Sequence, residues 1–280
     1  MGPLDIIGRM ILESQSEIDG AQAAAERVVT VHERLVEWLK PGQTLSEVDA
    51  FVATTLKDLE SESAFLGYKS RPHPRFPSHA CLSVNDCVVH GTHDMTRTPL
   101  KEGDVFSIDI GVLHDGWIGD AAWTYAICGT DPQNLALMNA GKDCLAAGIK
   151  MMQPGRPLLD WARAVEDVAE KKAGFKLIRG LGGHGYGRTL HGPPFISNVV
   201  PKHSGEWSDA FTPFKPGLLV AVEPMLSVGT PSVRSEGRGW PLFTTDGSMS
   251  VHYEADIFIT PEGPINLTAG LFDLPDVVGL

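Results

Sequence analysis

Cysteine, basic residues and long apolar runs are all scarce in this sequence. Its 280 residues include four cysteines, which have neither CxxC spacing nor the density of a disulfide scaffold, so we expect a reducing compartment. Lys and Arg number 23 against 35 Asp and Glu, and the net charge of −12 argues against a general nucleic-acid or anionic-membrane binder. No apolar run approaches the roughly 18 residues of a membrane span, and residues 1–9 lack the pattern of a signal peptide. A cytoplasmic globular protein is therefore expected.

The strongest local signal is a hairpin that carries two aspartates. Apolar segments flank Asp115-Gly116, a pair that favours a two-residue turn. Such a turn places Asp109 opposite Ala122, with Asp120 as its diagonal neighbour on the same face. Two carboxylates about 5 Å apart repel by roughly 3 kcal/mol at an effective dielectric of about 20. Taken alone, the pair fits either a solvated hairpin face or a site for a cation.

Two weakly similar halves are indicated by a repeated order of helix, Pro-Gly break and helix. Apolar residues recur at helical spacing over 18–39 and from residue 44 onward, and again over 135–152 and 158–172. Each half then has a Lys-x-Gly followed, at equal spacing, by a strand with an acid inside it, Asp109 or Glu223. Equivalent acids would meet near a pseudo-two-fold axis. Chance reuse of common helix breakers and strand starts is the alternative.

Further candidate metal ligands lie in the second half. His184 and His191 belong to the glycine-dense segment 180–194, where missing β-carbons let backbone and ligand approach closely, although a turn histidine is the ordinary alternative. Glu223 and Glu254 lie inside apolar strands, where an unpaired carboxylate is costly. Oxygen-rich ligation with one imidazole suits Mn²⁺, Fe²⁺ or Co²⁺ better than a thiolate-rich zinc site. Two such ions would balance four carboxylates, those of Asp109, Asp120, Glu223 and Glu254, and would activate a water for hydrolysis.

Five motifs occur in order along the chain. They are 81–91, which contains His90; 107–110 with Gly119-Asp120; 183–194, with His184 and His191; 222–225; and Tyr253-Glu254. Over roughly Glu13 to Thr268 the sequence resembles the type I methionine aminopeptidases. Too few residues separate His191 from Glu223 for the helical insertion of type II enzymes, and no cysteine-rich extension precedes the motifs.

The resemblance implies an α/β (α+β) pita-bread fold. In this fold a mostly antiparallel curved sheet has helices packed on its outer face. We expect a short N-terminal extension over residues 1–13 and a single catalytic domain over 14–280. Its pseudo-two-fold related halves would span about 14–128 and 129–268.

The same resemblance implies a role for each site residue. Asp109 would chelate one metal, whereas Asp120 and Glu254 would bridge both. His184 and Glu223 would complete the other metal site, and Glu223 would also move protons from the bridging water. His90 would contact the scissile amide or help protonate the new amine, and His191 would stabilise oxygen charge as the carbonyl becomes tetrahedral.

The resemblance also implies an apolar pocket for the substrate side chain. Its lining would include Tyr68, Phe76, Cys81, Leu190 and Trp240, for each of which ordinary core packing is the alternative. Leu190 stands where the family often has phenylalanine, and Ala255 where it often has histidine. An insertion over 69–75 lengthens the loop at the expected entrance. Its basic residues, Lys69, Arg71 and Arg75, either orient acidic or ribosome-associated partners or are simply solvated.

The implied activity is removal of the N-terminal methionine from nascent polypeptides with a small second residue. The cofactors would be two divalent ions, Co, Mn or Fe, with Zn as a further candidate. We expect a monomer that associates transiently with the ribosome and binds neither membranes nor specific nucleic-acid sequences. An Xaa-Pro aminopeptidase or dipeptidase of the same fold would share all five ligands, but the His90 and His191 motifs argue against it. A non-catalytic binding protein would be expected to have lost ligands.

Overall fold

Antiparallel sheets covered by helices form the framework of the computed structural model, which describes residues 11–203 and 205–280. Most of the extension expected over residues 1–13, and the segment without a signal-peptide pattern, lie outside the described residues. Within the described residues, no helix combines the length and the apolar character needed to cross a membrane.

The first half begins with two helices that have similar N-terminal caps. Helix α1 spans Gln15–Trp38 and helix α2 spans Leu45–Asp58, and each starts with a capping box in which a Ser or Thr hydroxyl and a Glu carboxylate satisfy free backbone N–H groups. The strands that follow are β1 (Glu62–Ser63), β2 (Cys81–Val84), β3 (Cys87–Val89), β4 (Val105–His114) and β5 (Trp117–Ile127). The helix predicted over 18–39 thus begins three residues earlier, because Ser14 caps it.

The second half repeats the order of two helices followed by strands. Helix α3 spans Pro132–Met151, and helix α4 spans Leu159–Glu166. The single helix predicted over 158–172 is wrong in one respect, since residues Asp167–Lys172 form a π-helical turn. The later strands are β6 (Lys176–Leu177), β7 (Gly182–Gly185), β8 (Gly192–Ser197), β9 (Leu219–Val222), β10 (Met225–Ser227), β11 (Val233–Ser235), β12 (Leu242–Thr244), β13 (Ser250–His252), β14 (Ala255–Thr260), β15 (Gly263–Asn266) and β16 (Val277–Val278).

Two five-stranded sheets dominate the topology. One has the order β1-β4-β5-β16, with β2 also on β4, and the other has the order β15-β14-β9-β7-β8. Every strand pair in them is antiparallel except β5 with β16. Helix α1 packs on β4 and β5, and this approach requires Gly119, where a β-carbon would lie 2.6 Å from the Ala24 backbone. The predicted antiparallel sheets with packed helices are confirmed.

The predicted hairpin register is also confirmed. Asp109 pairs with Ala122, and Gly111 pairs with Asp120. Asp115 and Gly116 have φ angles of 49° and 77°, as the two central residues of a type I′ turn require. Both aspartates therefore point to one face of the ribbon.

Matching backbone conformations occur at equivalent points of the two halves. Gly42 and Gly155, which follow the two helix-ending prolines, have φ angles of 90° and 83°, and Gly103 and Gly217 both have 90°. The halves then meet directly: the Asp120 N–H donates to Asp256 Oδ2 and the Glu254 N–H donates to the Ala122 carbonyl, each at 2.9 Å. This junction between the sheets is where the acids of both halves converge. The boundaries at 14–128 and 129–268 stay a prediction.

Candidate metal centre and substrate pocket

A single pocket at the junction of the two sheets contains every site residue singled out from the sequence. The predicted residues in its lining are Tyr68, Phe76, Cys81, His90, Asp109, Asp120, His184, Leu190, His191, Glu223, Trp240 and Glu254. Phe65, Val89 and His252 also line it, and sequence reasoning missed all three. The lining thus combines a polar part, made of acids and histidines, with an aromatic part.

One group of potential ligands joins the two halves. Asp120 Oδ2 lies 3.7 Å from His184 Nε2, which lies 4.0 Å from Glu254 Oε1. These distances are too long for hydrogen bonds. They suit donors around one ion, because ligands roughly 2.1 Å from a metal lie roughly 3 to 4 Å apart. Strands β5 and β7 supply the first two residues, and Glu254 lies between β13 and β14.

A second group shares Glu254 with the first. His252 Nε2 lies 3.2 Å from Glu223 Oε2 and 4.0 Å from Glu254 Oε2. Within each group the donor atoms all lie within 4.8 Å of one another. Asp109 faces the same pocket but belongs to neither close group among the described residues. Two positions for a cation are therefore adjacent and have one carboxylate in common.

Unpaired polar atoms and the pKa values of the acids both indicate a missing positive charge. Asp109 Oδ1 and Asp120 Oδ1 are buried and have no hydrogen-bond partner. Burial raises the pKa of Asp109 to about 7, and burial together with the neighbouring carboxylates raises the pKa of Asp120 and Glu254 well above the usual range. Burial lowers the pKa of His184 to about 3, so its ring is neutral and free to ligate. Carboxylate oxygens with neutral imidazole fit a divalent cation.

Two histidines border the candidate cation positions on the substrate side. His90 has a φ angle of 58° at the end of β3, and burial lowers the pKa of this imidazole to about 4. His191 lies at the exposed mouth of the pocket, where its Nδ1 is 2.7 Å from the Tyr68 hydroxyl. Its ring centroid is 4.4 Å from that of His184. Both imidazoles can thus face a group that approaches the acids.

The other part of the pocket is aromatic. Phe76 packs edge-on against Trp240, with ring centroids 5.3 Å apart, and against Phe65 at 6.2 Å. Cys81 and Leu190 complete this wall and are 5% and 7% exposed. Burial raises the pKa of the Cys81 thiol well above its usual range, so the side chain stays neutral. A flexible apolar side chain fits such a cavity.

The insertion 69–75 is attached to this aromatic wall. The Trp240 indole N–H donates to the Pro74 carbonyl at 2.9 Å, and the His73 ring stacks on Trp240 with centroids 4.8 Å apart. His73 Nδ1 also lies 3.2 Å from the Arg238 carbonyl. Lys69, Arg71 and Arg75 remain exposed. The insertion thus supports the pocket through its middle residues while its charges face solvent.

The position after the last glutamate differs from the family pattern without affecting the acids. Ala255 is buried and pairs with Val222 across β14 and β9. Position 255 thus provides no imidazole, and the imidazole that lies beside Glu223 is that of His252. A signal for His252 was present in the sequence, since residues two apart in a strand point to one face and Glu254 follows it by two.

Comparison with known proteins gives a consistent picture. Residues 19–261 match metallopeptidase family M24. A methionine aminopeptidase from Aquifex aeolicus is 38% identical over 258 residues, which cover 92% of this chain and 98% of that protein. The crystal structure of a methionine aminopeptidase from Thermotoga maritima has a TM-score of 0.83 and 34% identity, covering 92% of this chain and 99% of that one. The predicted pita-bread fold is thereby confirmed.

More distant structures share the fold alone. An X-Pro aminopeptidase from Thermotoga maritima has a TM-score of 0.73 at 17% identity, and the match covers 98% of this chain but 65% of that one. At this identity the likeness carries no information on substrate.

Proposed function

Because the chain belongs to metallopeptidase family M24, we propose that it removes the N-terminal methionine from polypeptides by hydrolysis. The observation that carries this proposal is one pocket in which two adjacent groups of metal donors adjoin an aromatic cavity. The relatives that match nearly their full length are methionine aminopeptidases. They support this activity over that of an Xaa-Pro peptidase or a non-catalytic binding protein.

Membership of the family implies a divalent cation, and the donors of this chain fit one. We propose two ions, Mn²⁺, Fe²⁺ or Co²⁺ with Zn²⁺ as a further candidate. Asp120 and Glu254 would bridge them, Asp109 would bind one, and His184 with Glu223 would bind the other. When bound, such ions lower the pKa of a shared water and polarise the scissile carbonyl. A bound cation would offset the burial of Asp109 Oδ1 and Asp120 Oδ1, which have no hydrogen-bond partner.

Proton transfer is assigned to Glu223. Its side chain is 15% exposed, against 4% for Asp120 and 3% for Glu254, so it is more accessible to substrate than either bridging acid. Burial raises the pKa of its carboxyl, which brings the group closer to the working pH that a general base needs. The Glu223 carboxylate would accept a proton from the attacking water and deliver it to the leaving amine.

The two histidines would act as hydrogen-bond donors to the substrate. In the tautomer whose Nδ1 accepts a hydrogen bond from the Tyr68 hydroxyl, the neutral His191 ring would present its Nε2–H to the carbonyl oxygen. His90 is neutral at pH 7 because burial lowers its pKa to about 4, so it would bind the amide as a neutral donor. These contacts strengthen as negative charge develops on the oxygen.

The aromatic cavity would hold the methionine side chain. Its walls are Phe65, Phe76 and Trp240, with Cys81 and Leu190 between them. A thioether packs well against aromatic ring edges, with a gain of roughly 0.3 to 1.5 kcal/mol per contact. An unbranched side chain also adapts to the irregular space beside Leu190.

Substrate choice tests this proposal directly. Purified protein loaded separately with Mn²⁺, Fe²⁺, Co²⁺ and Zn²⁺ is assayed on Met-Ala-Ser and on Ala-Pro peptides, with metal content measured in the same samples. We expect methionine release to dominate by at least tenfold in kcat/KM. Faster release of the residue before proline would overturn the assignment, and no release of either would favour a binding protein.

We propose that the substrates are nascent chains with a small second residue. We also propose that the protein acts in the cytoplasm as a monomer with transient ribosome contact. Residues 14–280 would form its catalytic domain. Reversing the charges of Lys69, Arg71 and Arg75 tests the ribosome contact. Unchanged activity on ribosome-bound chains would leave this loop as a solvated surface.

A further inference from the structure

His252 lies in the pocket although it belongs to none of the motifs that carry the family resemblance. It is the last residue of β13 and is 2% exposed. Its Nε2 lies 3.2 Å from Glu223 Oε2 and 4.0 Å from Glu254 Oε2. A buried imidazole beside the buried Glu254 and the half-buried Glu223 is unlike an ordinary core residue, so its contacts need an explanation.

The orientation of this imidazole does not suit a hydrogen bond to the nearer carboxylate. Despite the 3.2 Å separation from Glu223 Oε2, the His252 Nε2 atom is buried without a hydrogen-bond partner. Leaving a buried polar atom unpaired costs roughly 1 to 3 kcal/mol. The nitrogen and one oxygen of each carboxylate lie within 4.8 Å of one another. The two separations from the nitrogen, 3.2 and 4.0 Å, match those of neighbouring donors around one ion, roughly 3 to 4 Å.

The His252 backbone is fixed relative to the strands that carry the aspartates. Its N–H is shared between Ser107 Oγ at 3.2 Å and Thr124 Oγ1 at 3.1 Å, and its carbonyl accepts a hydrogen bond from Thr124 Oγ1 at 2.8 Å. Ser107 is on β4 beside Asp109, and Thr124 is on β5 beyond Asp120. Holding the ring in place before the ligand arrives is what a metal site requires.

We propose that His252 is an additional metal ligand, whose Nε2 binds the same ion as Glu223 and Glu254. The inference rests on the proposed metal centre. The ion is the one assigned above to His184 with Glu223, so two imidazoles, those of His184 and His252, would hold it, and Asp109 would bind the other ion. An added nitrogen donor favours Co²⁺ or Fe²⁺ over Mn²⁺, so this ligand also tunes metal preference.

Metal binding in solution tests the proposal without using turnover. Metal-free His252→Gln and wild-type protein are titrated with Co²⁺ at pH 7.5 by calorimetry, while the visible Co²⁺ absorption is recorded. His32→Gln is the matched control, because His32 is an equally buried histidine that contacts Tyr125 in the core. We expect His252→Gln to weaken one of two binding steps by at least 10-fold, change the absorption band, and weaken Mn²⁺ binding less.

Two further variants identify the step that is lost. Glu223→Gln and His184→Gln should weaken the same step as His252→Gln, whereas Asp109→Asn should weaken the other one. His252→Asn replaces His252→Gln if thermal unfolding shows that the latter does not fold. Unchanged Co²⁺ affinity and absorption in the His252 variant would overturn the ligand role, even if turnover fell. Absence of Co²⁺ binding by the wild-type protein would overturn the metal centre together with this inference.

Discussion

Glu223 differs from the other pocket acids in how much of its side chain meets the open space. At 15% exposed it can contact an incoming peptide, whereas Asp120 and Glu254 are enclosed. A group that shuttles protons needs such access as well as a pKa closer to neutrality. Single residues in this pocket therefore have separable tasks, which substitution can distinguish.

Replacing the Glu223 carboxylate with an amide, with the variant assayed at saturating metal, tests the proposed role in proton transfer. We expect Glu223→Gln to lower kcat on Met-Ala-Ser by about 10² to 10⁴, the usual cost of losing a general acid or base. The assay uses saturating metal, and circular dichroism checks the fold. Glu262→Gln is the control, because Glu262 is exposed beyond β14. Near-wild-type kcat in the metal-loaded variant would refute the assigned role.

The buried His32 makes the free energy of unfolding depend on pH. Burial lowers its pKa to about 4, against about 6.5 in an unfolded chain. Between these pH values the unfolded state therefore binds more protons than the folded state does. The contribution of the neutral His32 imidazole to the free energy of unfolding is fully present above pH 6.5 and is lost as the pH falls through about 4. We expect the wild-type free energy of unfolding to fall by about 3 kcal/mol more than that of His32→Gln between pH 7.5 and 4. Chemical denaturation at each pH measures this difference, and parallel curves would contradict it.

There is a physical reason why some site residues can be predicted from the sequence and others cannot. A carboxylate inside an apolar strand is costly unless something neutralises it, so Asp109, Glu223 and Glu254 stand out in the sequence. A histidine in a short strand gives no such signal, because its neutral imidazole can be buried at little cost when its nitrogens are hydrogen-bonded. His252 was therefore missed, although the spacing to Glu254 was available.

At the scale of elements, the insertion 69–75 acts as a support for one wall of the pocket. Its His73 ring and Pro74 carbonyl both contact Trp240, which itself packs on Phe76. The support is local and lies outside the groups of metal donors. Its loss should therefore affect binding of the methionine side chain more than the chemical step.

Removing the His73 ring tests this separation. We expect His73→Ala to raise KM for Met-Ala-Ser about threefold to tenfold while kcat stays within about twofold, because loss of an aromatic contact costs roughly 0.5 to 1.5 kcal/mol. Lys69→Ala, in the same loop but exposed, is the control and should leave both constants unchanged. A fall in kcat with constant KM would show that the loop serves the chemistry instead.

Elements defined by local interactions were the predictable ones. The Asp115-Gly116 turn fixes the β4–β5 register by itself, and Ser14 and Thr44 set the starts of the first two helices. Strand β13 has three residues and pairs with β10 from far along the chain. Tertiary contacts determine such an element, so the sequence pattern could not predict how it presents His252.

At the scale of the whole molecule, the site lies where two sheets bring several carboxylates close together. Without a cation, these like charges repel one another. Burial raises the pKa values of acids from both halves. A bound cation offsets this repulsion only in the folded state, where the donors are assembled. Metal binding is therefore coupled to the stability of both halves at once.

Thermal unfolding with and without metal measures this coupling. At a metal concentration about 100 times the Kd, we expect a gain of about 2.7 kcal/mol, which raises Tm by roughly 5 to 10 °C. A chelator should reverse the shift. The double variant Asp120→Asn, Glu254→Gln removes both carboxylates that are proposed to be shared, and once circular dichroism shows that it is folded, its Tm should not respond to metal. An equal shift in that variant would place the stabilising ion elsewhere.

The backbone bonds that join β5 to the segment around Glu254 have a consequence for protein synthesis. The Ala122 carbonyl receives its hydrogen bond from Glu254 only after more than a hundred further residues have been added. A growing chain that already contains both aspartates, His184 and Glu223 still lacks the carboxylate common to both donor groups. On the proposed mechanism, a chain that terminates before Glu254 would lack this carboxylate, and we expect it to be inactive.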